Sequence, residues 1–62
     1  MRVGDLDGAI SQFRAAINTS PDYAPAHFQL GIALLQQGKK EQAALEFQKA
    51  SELDPKLTPQ TQ

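Results

Sequence analysis

Sixty-two residues bound the chain to one small domain; a domain of this size buries only about 60% of its unfolded surface and is usually reinforced by disulfides, a metal or association. With no cysteine and one histidine, His27, disulfides, thiolate metal sites and multi-histidine metal sites are excluded, and association is the reinforcement that remains. Six Lys or Arg against seven Asp or Glu give a net charge of −1 without a basic stripe, and the longest apolar run, Ile32-Ala33-Leu34-Leu35, is far too short to cross a bilayer, so neither nucleic acid nor a membrane is an expected partner.

Met1-Arg2-Val3 leads straight into a Gly4-Asp5 turn with no apolar core, so no signal peptide is visible. A first helix is predicted over residues 5–18. Leu6, Ile10, Phe13 and Ile17 are spaced four, three and four, which makes one apolar stripe, and Ala9 and Ala16 widen it. Asp5 and Asp7 sit where a helix N-terminus favours negative charge. Thr19-Ser20-Pro21 ends the helix, because the residue before proline resists helical geometry.

A second helix is predicted over residues 23–37, with Asp22 as its N-cap, Pro25 tolerated in the first turn and Gly38 as a left-handed stop. It is apolar on most sides. Ala26, His27, Leu30, Gly31, Ala33 and Leu34 form one broad face, and Phe28, Ile32 and Leu35 form a second stripe. A helix apolar nearly all round expects neighbours on two sides. A third helix is predicted over residues 40–53, with Ala43, Phe47, Ala50 and Leu53 on one face, Glu41, Glu46, Gln48, Lys49 and Glu52 mostly solvated, and Leu45 on the outer side. Asp54-Pro55 stops it, and residues 56–62 form a polar tail.

The chain also repeats itself at an offset of 34 residues. Gly4, Ala9, Phe13, Ala16, Pro21 and Pro25 recur as Gly38, Ala43, Phe47, Ala50, Pro55 and Pro59. A fixed period of this length marks stacked helix-turn-helix units. The segment 24–57, with Leu30-Gly31, Gly38, Ala43, Phe47, Ala50 and the close Leu53-Asp54-Pro55, resembles the tetratricopeptide repeat. His27 and Leu34 depart from the Trp and Tyr common at two pattern positions. The resemblance implies an all-α fold of three antiparallel helices: a partial repeat at 1–21, contributing only a second helix, a complete repeat at 22–55, and the tail. Leu30, Gly31, Gly38, Ala43, Phe47, Ala50 and Pro55 are then packing positions of the repeat signature.

The resemblance further implies a protein–protein interaction module that holds a protein or peptide in a concave groove lined by the first helix of each hairpin. The matching positions here are Phe28, Ile32, Leu35 and Gln36. The same positions also read as packing against a neighbouring repeat, the favoured reading because such neighbours are a structural need and ligands are optional, and a chain with too few repeats to bury its faces is expected to self-associate as a homo-oligomer. Exchange of the middle helix between copies, with hinges at 19–22 or 37–39, is the swapped form of that outcome. Family members that clamp acidic C-termini use Lys and Asn on the first helix; Phe28 and Ile32 stand at the matching inward positions here and argue against that use. The 34-residue offset, slightly acidic balance and apolar inward positions also argue against an RNA-reading repeat.

No catalytic constellation is legible. His27 has no carboxylate or second histidine at helical spacing and is expected as a packed structural residue. Asp5-Leu6-Asp7-Gly8 lacks the later ligands of a calcium loop, the glycines do not cluster as a phosphate cradle, and Ser11 and Ser51 have no base in reach by spacing. The expectation is therefore no enzyme, no cofactor and no metal, with a cytoplasmic setting suggested by the cysteine-free composition. An accessory segment of a larger enzyme is the remaining alternative.

Overall fold

The computed structural model describes residues 3–57, with side chains from Asp5 onward; Met1, Arg2 and the tail from Thr58, including Pro59, lie outside the described residues. Among the described residues the structure is wholly helical, with α1 at Val3–Thr19, α2 at Ala24–Gln36 and α3 at Lys40–Leu53. None of the helices is long and apolar enough to cross a membrane.

α1 begins two residues before its predicted start and runs one residue further. The expected turn at Gly4-Asp5 is helix instead. A glycine inside a helix costs about 1 kcal/mol relative to alanine. Burying one leucine contributes about 1.5–3 kcal/mol, and Leu6, one turn into α1, is buried, so packing wins over propensity. The helix closes where Ser20 N–H donates to the Ala16 carbonyl at 2.8 Å, immediately before Pro21.

The predicted N-cap of α2 is corrected. α2 starts at Ala24, so Tyr23 occupies the cap position (φ −79°, ψ 95°) with no side-chain capping bond, and Asp22 lies one residue too early, in the turn with Pro21. Pro25 falls in the first turn, where its missing N–H has no helical partner to lose. The other end behaves as read. Gly38 adopts φ +81°, and Lys39 N–H reaches back to the Leu34 carbonyl at 2.9 Å, beside the Gln37 N–H that donates to the same oxygen at 3.1 Å, which turns the chain into α3.

α3 ends as Asp54 N–H donates to the Ala50 carbonyl at 2.8 Å, and Asp54 Oδ1 then accepts from Lys56 N–H at 3.1 Å across the Pro55 turn. Leu53, expected on the packed face with Ala43, Phe47 and Ala50, is instead 40% exposed. It falls on the edge of that face, because three residues beyond Ala50 a helix has turned about 300°.

α2 is the middle layer, and α1 and α3 each pack on it. Gln37 Nε2 donates to Asp7 Oδ1 at 2.8 Å, tying the end of α2 to the start of α1 and showing the antiparallel sense of that pair. The core is one cluster of Leu6 and Ile10 from α1, Leu30, Ala33 and Leu34 from α2, and Ala43 from α3, flanked by Phe13, Ile17 and Phe47. The chain is 31 × 31 × 16 Å. Its thinnest dimension is little more than one helix diameter, so both flat faces of the slab meet solvent.

Candidate protein-interaction site

α2 carries two faces with different fates. Leu30 and Leu34 are each 1% exposed and anchor the core. The second stripe, at i, i+4, i+7 and i+8, brings Phe28, Ile32, Leu35 and Gln36 to one side of the same helix, with Phe28 and Ile32 half-buried, Leu35 47% exposed and Gln36 exposed. Phe28 is not free for a partner over its whole ring: its centroid lies 5.4 Å from that of Phe47, with the rings inclined at 58°, a favourable tilted pair.

The signature positions set the spacing beneath this face. Ala43 and Ala50 are completely buried. A Cβ at Gly31 would lie 2.7 Å from Phe47 Cε1, so glycine lets the ring of α3 seat directly on the α2 backbone. Gly38 makes the turn, and Pro55 is exposed in the turn after α3.

His27 is packed, and its partner is one that spacing did not reveal. Nδ1 lies 2.8 Å from Glu46 Oε1 and Nε2 lies 2.9 Å from the Pro21 carbonyl oxygen. Glu46, expected to be mostly solvated, is half-buried in this contact. The signal was present: Glu46 is three residues after Ala43 and four before Ala50, on the edge of the buried face of α3. The two groups that converge form a brace joining α2, α3 and the α1–α2 turn. Both ring nitrogens are occupied and the residue is 6% exposed, which leaves no ring nitrogen free. Replacing His27 with alanine should lower the unfolding free energy by about 1–3 kcal/mol, the cost of unpairing buried polar groups; urea denaturation followed by circular dichroism measures it, and an unchanged midpoint would refute the brace.

A hollow of about 380 Å³ is lined by Gly38, Lys39, Lys40, Glu41 and Gln42 at the turn into α3, and two others border α1. One of about 220 Å³ lies beside the brace, lined by Arg14, Ile17, Asn18, His27, Leu30 and Glu46. The other, about 350 Å³, lies between α1 and the start of α2, lined by Gln12, Phe13, Ala16, Tyr23, Pro25, Ala26 and Gln29, with no charged side chain. No group of histidines and carboxylates able to hold a metal occurs among the described residues.

The family model of the tetratricopeptide repeat matches residues 1–61. The chain belongs to the tetratricopeptide-repeat family. Neither the curated proteins nor the solved structures contain a match to it. Tetratricopeptide repeats generally mediate protein–protein interaction and are typically non-catalytic. In this member the Leu30-Gly31 pair serves two helices at once: the leucine fills the core and the glycine admits Phe47.

Proposed function

We propose that this tetratricopeptide-repeat chain binds a protein or peptide on the side of α2 that carries Phe28, Ile32, Leu35 and Gln36, and that residues 1–21 act as a partial repeat supporting a complete repeat at 22–55. The observation that carries the reading is the contrast within one helix: Leu30 and Leu34 are 1% exposed while Leu35, beside them in sequence, is 47% exposed. A large apolar side chain held in water on a rigid helix is poised to gain by docking. The cytoplasm is the compartment we assign, on the cysteine-free composition alone.

Self-association is the second reading, favoured by Leu35 together with Leu45, which is 65% exposed. Full burial of a Phe, Ile or Leu contributes about 1.5–3 kcal/mol. Phe28 and Ile32 have already used part of that against α3 and their own helix, so the gain left is well below the full sum. Association costs roughly 4–15 kcal/mol in lost freedom, which makes a weak, concentration-dependent oligomer the expected form.

One variant separates the two. Leu35→Glu places a charge on the proposed surface without touching the core. Light scattering after size-exclusion chromatography should show wild type above 6.8 kDa and the variant at monomer mass if copies cover this face. A wild-type monomer at all concentrations removes self-association. For the partner reading, peptides selected on wild type should lose at least about tenfold in affinity for Leu35→Glu, as a buried unpaired charge requires; selected peptides that bind both equally would remove this face as the site.

A further inference from the structure

His27 meets two acceptors and, as a neutral ring, has only one hydrogen to give. Nδ1 lies 2.8 Å from Glu46 Oε1, and Nε2 lies 2.9 Å from the Pro21 carbonyl oxygen. Each of these contacts needs a hydrogen between its two heavy atoms. The carbonyl oxygen brings none, so Nε2 carries the hydrogen of that contact. The contact with Glu46 needs another, on Nδ1 or on the carboxyl. A neutral imidazole has one hydrogen on nitrogen and a carboxylate has none, so the two together are one hydrogen short. In model peptides imidazole is the stronger base, at about 6.5 against about 4.3 for a glutamate, which places the extra proton on the ring. Water is a poor substitute donor here, because the residue is 6% exposed.

We infer that the brace holds one proton more than a neutral histidine and a carboxylate hold apart, as an imidazolium set between Glu46 and Pro21, and that the joint of α2, α3 and the α1–α2 turn is a pH-sensitive fastening, firm in mild acid and loosened as the proton leaves. Loss of that proton turns the Nδ1 lone pair toward a carboxylate oxygen at 2.8 Å, and two acceptors at that distance repel. The partner free to move is Glu46, whose side chain is 27% exposed against 7% for the ring. The carboxylate therefore turns out to water while Nε2–H keeps the Pro21 carbonyl, and the tie to α3 opens before the tie to the turn. The hairpin itself survives this, because Phe28 and Phe47, the next residues along each helix, still pair with centroids 5.4 Å apart.

The charges around the ring favour this assignment. α2 has no charged side chain besides His27. α3 brings Glu46, in contact, and Lys49 one turn further on, which is exposed; the α1–α2 turn brings Asp22, also exposed, and Tyr23 stands exposed at the start of α2. α1 brings Arg14, which lines the small hollow beside the brace and opposes a positive ring. Arg14 is exposed, so water and salt weaken its effect, whereas Glu46 acts at hydrogen-bond distance. In the unfolded chain the histidine loses its proton as the pH rises through about 6.5. Above that value the folded chain binds more protons than the unfolded one, so its stability falls as the pH rises; below it both forms hold the proton and this group adds no slope.

The test uses the whole chain. His27 is its only histidine, and histidine is the side chain that ordinarily changes charge between about pH 6 and 8, so the slope in that range reports on one ring. Urea melts across the range should show the wild-type folding constant falling with pH, toward a limit of about tenfold per unit for one proton. Glu46→Gln can offer Nδ1 an amide hydrogen, which matches a neutral ring, so the variant's folding constant should stay level over the same range. A level wild type overturns the inference, and so does a Glu46→Gln variant as steep as wild type. If Glu46→Gln does not fold, nitrogen NMR of the wild-type ring at about pH 7, where a free imidazole is mostly neutral, decides: hydrogen on both ring nitrogens supports the fastening, and one bare ring nitrogen overturns it.

Discussion

Leu30→Ala is expected to remove about half or more of the folding free energy of this chain. A 62-residue protein has roughly 3–9 kcal/mol to lose, at about 0.05–0.15 kcal/mol per residue. Leu30 is 1% exposed and belongs to the one cluster that joins all three helices. Truncating a buried leucine costs about 2–5 kcal/mol, the larger values applying where surrounding structure cannot collapse into the cavity. α2 has a helix on either side and short turns at both ends, which restrains such collapse. Thermal melts followed at 222 nm check the expectation: Leu30→Ala should melt far below wild type, while Leu45→Ala, at an exposed position, should stay within about 0.5 kcal/mol. Equal melting of Leu30→Ala and wild type would remove Leu30 from the centre of the core.

That result bears on the binding face as well as on stability. α2 owes its position to Leu30 and Leu34 and presents Leu35 from the same turn. Leu35 and Gln36 are exposed and add little to holding that helix in place. Loss of the core therefore releases the surface too, and a binding defect in a core variant says nothing about contact. Leu35→Glu avoids that confusion. Phe28→Glu does not, because Phe28 is paired with Phe47 inside the hairpin.

The sequence was most legible where one residue type has one physical use. Gly38 between two apolar stripes could only be a left-handed stop, and φ +81° is what the turn requires. Ala43 and Ala50, small and seven residues apart, marked a close helix contact and are fully buried. The α3 limits, residues 40–53, agree with the punctuation on either side. Legibility failed where packing overrode a local preference. Gly4 reads as a turn but lies in α1, because Leu6 gains more from burial than the glycine costs. Asp22 reads as a cap but is one residue from the position that could use it. The His27–Glu46 brace joins residues 19 apart on different helices, and a period count along one helix does not see across to its neighbour. Equivalent positions also differ in burial in a way the letters do not show: Ala9 and Ala43 are the same residue in the same register, yet Ala9 is half-buried and Ala43 fully buried.

Gly31→Leu is the second large effect, and it tests the spacing on which the α2–α3 hairpin depends. A Cβ at residue 31 would sit 2.7, 2.9 and 3.1 Å from Cε1, Cδ1 and Cζ of Phe47. Alanine at that position would recover about 1 kcal/mol of helix propensity, but its Cβ would stand inside 3.0 Å of two ring carbons and the ring would have to move. Leucine adds three more carbons along the same direction, and the ring has Phe28 beside it, with centroids 5.4 Å apart, so it has little room to turn away. Overpacking of this kind costs about 1–3 kcal/mol, occasionally more, a large part of what so small a chain holds. The cost comes from the ring, so removing the ring should relieve it. Phe47→Ala is destabilising alone, and Gly31→Leu/Phe47→Ala should be more stable than the sum of the two single changes predicts, with a coupling of about 0.5–3 kcal/mol. Denaturant melts of the four proteins give that coupling. Strict additivity would mean that the glycine is not there to admit Phe47, and the Leu30-Gly31 pair would then serve the core through its leucine alone.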